Sequence, residues 1–358
     1  MTSLFDPLTA GSLDLANRVV MAPLTRSRAG TAGVPTDLNV EYYRQRAGAG
    51  LIVTEGTQPS AVGQGYLDTP GLHSDDQTAG WRAIGEAVHG AGGRIVVQLM
   101  HVGRVAHPDN KGGLETVAPS AVAAPDQMMT AGGMVDFPQP RALAHEELAG
   151  VVAEFVDAAR RAIAAGLDGV ELHSANGYLL HQFLSPVSNV RADGYGGSPA
   201  GRARFVVEVA QAVAEAIGAG HVGIRISPGT GAGGTAETDP ADVAATYGEL
   251  VDGLAPIGLA YLHVLGDPRS ELTRDLRARF GGVFMANTGF AAVTSREEAA
   301  SLVESGVTDL VSVGRLFIAN PDLVTRWERG AELNEPDPAT FYGGGAQGYT
   351  DYPTLAAS

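Results

Sequence analysis

The sequence predicts a (β/α)8 TIM barrel, an α/β fold forming a single domain over residues 1–358. Three observations predict it. Short apolar runs recur along the chain, amphipathic helical stretches separate them, and polar residues cluster just past the runs' C-terminal ends. Strands alternating with helices make parallel βαβ units. A chain of 358 residues suits one such barrel with insertions. An open doubly wound sheet is the competing arrangement, but it needs a reversal point that the pattern does not display.

The elements follow in order. Asp14-Leu-Ala-Asn17 reads as a small hairpin plugging the barrel bottom, ahead of the first run, Arg18–Ala22. The next runs are Leu51–Glu55, Arg94–Leu99 and Gly169–Leu172. Val222–Ile226, Tyr261–Val264, Val283–Ala286 and Leu310–Val313 complete the eight. Apolar residues at helical spacing mark Glu146–Ala165, Arg202–Ile217, Asp242–Leu254 and Ser295–Glu304. Segment 103–143 breaks this rhythm. It is rich in Gly, Pro and Ala and carries Met128-Met129 and Phe137. A lid and a plain insertion both fit so long a connection. Because it leaves from the third run's C-terminal end, a lid loop is expected. The tail from Phe341 to Tyr352 mixes glycines with aromatics. It either folds over a pocket or packs loosely; composition leaves both open.

Composition narrows the chemistry. There is no cysteine, so disulfides, a thiolate nucleophile and a cysteine-ligated iron–sulfur cluster are excluded. A formal net charge of −16 argues against a nucleic-acid surface. No apolar run reaches the ~18 residues of a membrane helix, and no signal peptide is evident. A cytoplasmic protein without membrane or nucleic-acid partners is expected. Lys111, the only lysine, lies in the long loop and not at a strand end, which speaks against a Schiff-base aldolase. No His-x-His or carboxylate cluster has metal-ligand spacing, so no metal is expected.

The chemistry-bearing residues gather at strand ends. His173-Ser-Ala-Asn176-Gly-Tyr178 follows the fourth run. A His and an Asn three apart face the same way on a tight helical turn. Together they can hold one carbonyl or anionic oxygen, and the tyrosine offers a phenolic proton to the same pocket. Thr25, Glu55, Gln98, His101, Arg225 and Asn287 stand at other strand ends. Gly289 and Gly314 end the last two runs, where barrels commonly build a phosphate site, and Arg315 adds a bidentate anion contact. A lone strand-end Gly is usually a turn residue, and a lone strand-end His usually a core histidine. The joint pattern is the signal. His101, His107 and His181 are left structural or unassigned.

These residues carry a resemblance. Asn17-Arg-Val-Val-Met-Ala-Pro-Leu-Thr25, Glu41-Tyr-Tyr-Arg-Gln-Arg-Ala47, the stretch from Glu171 to Pro186, Gly314-Arg315 and Phe341-Tyr-Gly-Gly-Gly345 resemble the Old Yellow Enzyme family, close to its N-ethylmaleimide reductase-like branch. The match runs from Leu4 to Leu355. It implies an FMN-dependent ene-reductase working by ping-pong. NADPH or NADH reduces FMN at the barrel mouth. Hydride then goes to the β-carbon of an activated alkene: an α,β-unsaturated carbonyl compound, a maleimide, a nitroalkene or, by extension, a nitroester. By the same resemblance Thr25 tunes the flavin, Gln98 contacts its pyrimidine edge and Arg225 sits by its N1 and C2 carbonyl. Pro23, Leu24 and Gly56 line the ring. Asn287, Gly289, Gly314 and Arg315 belong to the cofactor site, the last three at the phosphate. His173 and Asn176 clamp the substrate oxygen, and Tyr178 protonates the α-carbon. Tyr66, Met100 and Tyr349 wall the substrate pocket.

Two departures matter. Met100 stands where near relatives commonly carry Trp, and a flexible thioether in place of a flat ring implies a roomier pocket. The long loop has few basic residues before Arg141, so the choice between NADPH and NADH stays open. A non-catalytic flavin-binding redox protein is the alternative reading, although such a protein needs no substrate-facing acid. A monomer or weak homodimer is expected.

Overall fold

The computed structural model describes residues 2–289 and 293–355. A two-stranded antiparallel hairpin, β1 (Leu8–Ala10) and β2 (Leu13–Leu15), precedes the barrel. Barrel strands β3 (Val19–Met21), β4 (Leu51–Val53) and β5 (Ile95–Leu99) come next. The long connection then contributes β6 (Val117–Ala118), an antiparallel hairpin of β7 (Gln127–Thr130) and β8 (Gly133–Asp136), and β9 (Arg141–Ala142). The remaining barrel strands are β10 (Gly169–Ser174), β11 (Val222–Ile226), β12 (Tyr261–Leu265), β13 (Phe284–Asn287) and β14 (Leu310–Val313). Each barrel strand pairs in parallel with its sequence neighbour in the barrel, and β14 closes on β3 through Val311↔Val19, Ser312↔Val20 and Val313↔Met21.

The barrel strands are buried on both faces. This is why they read as largely apolar runs instead of a strict alternation. Their outward residues pack on helices such as α1 (Asp37–Gln45), α2 (Asp75–Gly90) and α3 (Leu148–Ala164). α3 buries Leu148, Val151, Phe155, Ala158, Ala159 and Ala162, one stripe at helical spacing. Helices begin where a side-chain oxygen can take an orphan N–H: Ser74 accepts from Gln77 at 3.3 Å at the start of α2.

Inside the barrel the strands form layers. At the bottom Val20, Leu51, Val53, Val96, Tyr261, Met285 and Leu310 make one apolar cluster, and Ala10, Leu13 and Leu15 of the hairpin pack into it. Side chains two apart on a strand share a face. Residues two positions beyond this layer therefore also point inward: Gln98 above Val96, His263 above Tyr261 and Asn287 above Met285. The interior thus changes from apolar to polar toward the C-terminal ends. Among the described residues no helix is long and apolar enough to cross a membrane.

Candidate active site

The C-terminal ends of the strands open into one cavity of about 1050 Å³. Pro23, Leu24 and Thr25 after β3, Gly56 after β4, Gln98 on β5 and Arg225 on β11 all border it. So do Asn287 at the end of β13, Gly289 after it, and Gly314 and Arg315 after β14. His173, Asn176 and Tyr178 enter from the β10 end, with Tyr66 and Met100 beside them. Residues far apart in the sequence meet because every barrel strand delivers its end to the same rim.

His173 and Asn176 converge, but not on a helical turn as expected. His173 is still on strand β10, and Asn176 adopts a left-handed conformation, φ 58°, before Gly177 at φ 84°. The tight turn re-aims the chain within two residues. It is held from several sides. Asn176 N–H donates to Ser227 Oγ at 2.9 Å, and Gly177 N–H to His181 Nδ1 at 2.9 Å. His181 Nε2 faces Glu237 Oε1 at 3.1 Å, and the Tyr247 hydroxyl donates to the same carboxylate at 3.2 Å. Gln182 Nε2 donates to the Gly177 carbonyl at 2.7 Å. His181 is therefore part of the scaffold behind the turn. His101 Nδ1 accepts from Gly103 N–H, and burial pushes its pKa down to about 3. His107 caps a short turn by accepting from Asp109 N–H. Neither borders the cavity.

Electrostatics sets the protonation states. Burial first, then the Arg225 charge and the neighbouring histidines, hold His173 well below the ordinary imidazole range. It is neutral and can donate one N–H. Burial and the adjacent Tyr66 hold the Tyr178 phenol well above its ordinary value of 10.0. The group therefore stays protonated. Tyr66 and Tyr178 share a hydroxyl–hydroxyl hydrogen bond of 2.8 Å, and the His173 and Tyr178 rings lie edge to face at 5.0 Å. Gln98 Nε2 donates to Glu171 Oε1 at 2.8 Å, and His263 Nδ1 lies 2.9 Å from Glu171 Oε2. The Asn287 amide is used locally: Nδ2 donates to the Ser312 carbonyl and Oδ1 accepts from Gly289 N–H, shaping the backbone at that end of the cavity. Met100 packs into the space a Gly56 side chain would take; a Cβ there would sit 2.4 Å from the thioether methyl.

The long connection and the tail complete the walls. Met128, Met129, Met134 and Phe137, on or beside the β7–β8 hairpin, border the cavity, as do Phe341, Tyr342 and Gly343. Tyr349 does not, and the expectation that it walls the pocket is corrected. Its buried ring stacks on Tyr42 at 4.1 Å, and its hydroxyl accepts from Asn39 Nδ2 at 3.0 Å. The cause is a clamp that sequence reasoning missed. Arg26 Nε donates to the Phe341 carbonyl at 2.9 Å and Nη2 to Gly348 at 2.8 Å. Arg28 donates to Thr340 and Gly345. These bonds fold the tail so that residues 341–343 face the cavity and Tyr349 turns inward. Lys111 is buried, its ammonium donating to the Val62 carbonyl at 3.0 Å, and burial lowers it to about 8.

The residues fit a flat, polar-edged cofactor on two observations. Three buried polar atoms of cavity-lining residues have no protein partner: His173 Nδ1, Asn176 Oδ1 and Arg225 Nε. A buried guanidinium without an ion pair is costly, and an electron-rich group beside it removes that cost. The cavity is also at the top of the ~300–1,000 Å³ range for small-molecule sites, which leaves room for a second molecule against the first. Among the described residues no group of His, Asp or Glu is placed to hold a metal ion.

Known proteins resemble the chain over nearly its full length. Residues 3–334 match the model of the NADH:flavin oxidoreductase / NADH oxidase family. A probable flavin mononucleotide-dependent alkene reductase of Leishmania infantum is 43% identical, covering 98% of this chain and 96% of its own. The 12-oxophytodienoate reductase 7 of Oryza sativa subsp. japonica is 40% identical, covering 98% and 94%. Among solved structures, morphinone reductase in complex with tetrahydroNAD superposes with a TM-score of 0.93 at 44% identity, over 99% of this chain and 98% of that one. An old yellow enzyme homologue from Zymomonas mobilis gives 0.93 at 38%, over 99% and 100%.

Proposed function

The chain belongs to the NADH:flavin oxidoreductase / NADH oxidase family, the Old Yellow Enzymes, and is an FMN-dependent alkene reductase fed by NADH or NADPH; from that premise we propose that it reduces alkenes activated by a carbonyl, imide or nitro group, with Tyr178 as the proton donor. One observation carries the reading. Neutral His173, with an unpartnered buried Nδ1, and Asn176, whose amide Nδ2 can donate, stand beside a phenol that its surroundings keep protonated.

The cofactor's contribution, when FMN is bound, is to pass hydride from the nicotinamide to one alkene carbon. The protein does the rest. His173, neutral, and Asn176 hold the substrate's oxygen and polarise the double bond; donors of this kind are worth ~3–4 kcal/mol in comparable sites. Tyr178 gives its proton to the carbon next to the activating group. The Tyr66 hydroxyl orients that phenol through their 2.8 Å bond. Tyr66 and Met100 wall the substrate side. Arg225 would hold the pyrimidine edge of FMN, where a fixed cation would favour the reduced form. Gln98 and Thr25 would take the remaining polar edge of FMN, and Pro23, Leu24 and Gly56 would line its ring. Gly289, Gly314 and Arg315 would serve the phosphate end, with Asn287 shaping the backbone beside them. A cytoplasmic setting and a monomer or weak homodimer complete the proposal.

An anaerobic visible spectrum tests it. Flavin absorbance should bleach on adding NADPH and return on adding 2-cyclohexenone without oxygen. Bleaching without return would move the substrate elsewhere. A colourless protein that binds no added FMN would overturn the reading.

A further inference from the structure

Beneath the pocket lies a charge that the reaction does not consume. Glu171 stands on β10 two residues before His173, so both side chains face the barrel interior. In the parallel register Glu171 is level with Gln98 of β5, His173 with Arg225 of β11, and Arg225 with His263 of β12. Glu171 and His263 are 0% exposed, Gln98 2% and Arg225 4%. One carboxylate oxygen accepts from Gln98 Nε2 at 2.8 Å, and the other faces His263 Nδ1 at 2.9 Å. Burial raises the Glu171 carboxyl, but His263, Arg225 and Gln98 outweigh it and leave it below the ordinary range, while burial lowers His263, so a carboxylate accepting at both oxygens faces a neutral imidazole at neutral pH. Arg225 forms no ion pair among the described residues, and its Nε has no partner. Glu171 is thus close enough to offset the guanidinium without neutralising it by contact.

We propose that Glu171 is a positioning and countercharge residue that sets the reduction potential of the bound flavin. It works from behind, through Arg225 and Gln98, two residues that face the cofactor in the functional reading given above, on which this inference rests. The carboxylate fixes which way the Gln98 amide points, and its negative field holds down the stabilisation that Arg225 gives to the reduced flavin. Charge interactions in a site this dry are weakly screened.

The test is the midpoint potential of the FMN-loaded protein, measured by anaerobic dye-linked titration. Glu171→Gln removes the charge at nearly constant shape and should raise the potential. At a fixed solution potential the reduced-to-oxidised ratio should grow at least about tenfold, which is about 30 mV for a two-electron couple. Glu171→Met, a neutral side chain of similar length, should shift it the same way, and serves if the glutamine variant does not fold. Glu171→Asp keeps the charge and should stay nearer the wild type than either. Neutral variants with an unchanged or lowered potential would overturn the proposal. So would an aspartate variant shifted as far as the neutral ones, or folded neutral variants that lose FMN altogether, because Glu171 would then be a packing residue. The wild-type spectrum separates this failure from that of the parent reading: a wild type that holds no flavin sinks both, whereas one that holds it beside unshifted variants sinks only the countercharge.

Discussion

Tyr178→Phe separates the two halves of the reaction. The substitution removes one hydroxyl, whose hydrogen-bond partner is the Tyr66 hydroxyl at 2.8 Å. Tyr66 is only partly buried, so losing that bond costs about 1 kcal/mol of stability and the fold should survive. The ring stays, so its edge-to-face contact with His173 at 5.0 Å should also stay. What disappears is the proton. Loss of a general acid costs roughly 10²–10⁴ in rate, or about 3–5 kcal/mol at the barrier. Flavin reduction by the nicotinamide needs no proton from this residue and should be nearly unchanged. Stopped-flow absorbance of the flavin reads the two half-reactions in separate mixes. The pH profile adds a second check. The Tyr178 phenol is held well above 10.0, and His173 well below 6.5. Both groups therefore keep their working protonation states across the neutral range, and wild-type alkene reduction should fall only at a pH above the phenol's ordinary value. Alkene reduction at the wild-type rate in Tyr178→Phe, or an equal loss in both half-reactions, would refute the assignment of this proton.

Other perturbations follow from the same geometry. Gly177→Ala places a Cβ 2.3 Å from the Ala232 carbonyl, a backbone atom, at φ 84°. It should cost about 1–3 kcal/mol and slow alkene reduction while FMN stays bound, which denaturant melts and the flavin spectrum would read together. Burial raises Glu55 from 4.5 to about 7. The folded state therefore holds that proton more tightly, and the associated stability, about 3 kcal/mol at full burial, is present below pH 4.5 and lost as pH rises through 7. Glu55→Gln cannot titrate, so its stability relative to wild type should climb between pH 5 and 8; a pH-independent difference in unfolding free energy would exclude this. Met100→Trp should shrink the range of bulky alkenes accepted, in kcat/KM across a size series; an unaltered range would show that Met100 does not limit the pocket.

Much of the fold and of the site is legible in the amino-acid sequence, for identifiable reasons. The eight apolar runs correspond to β3, β4, β5 and β10–β14 because strands covered on both faces are mostly apolar, their polar residues confined to positions that face the cavity or the barrel interior. The strand-end residues are legible because a barrel gathers those ends whatever the loops do. His173 and Asn176 pair as their spacing implies, but on a different local geometry: spacing alone does not distinguish a helical turn from a left-handed one, and Asn tolerates both. The position of Tyr349 is not legible, because a tail of glycines and aromatics has no periodicity to say which ring faces in. That choice is made by Arg26 and Arg28, far away in sequence. The β7–β8 hairpin is hidden by its four-residue strands, although the buried Met128 and Thr130 alternate with exposed Gln127 and Met129. Glu171 stands out only as part of a motif, since nothing local reveals that its neighbours across the sheet are a glutamine, a histidine and an arginine.

The Arg26 clamp has a consequence for how the enzyme is made. Its guanidinium binds a carbonyl 315 positions later in the chain. During synthesis the strands can close into a barrel as soon as β14 has emerged, yet the wall formed by 341–343 is made only after it. Without residues 341–343 the cavity would lack the wall that Phe341, Tyr342 and Gly343 supply. The last wall of the active site is thus set by a segment made after the barrel, and Arg26 and Arg28, which follow β3, hold it only once that segment has been made.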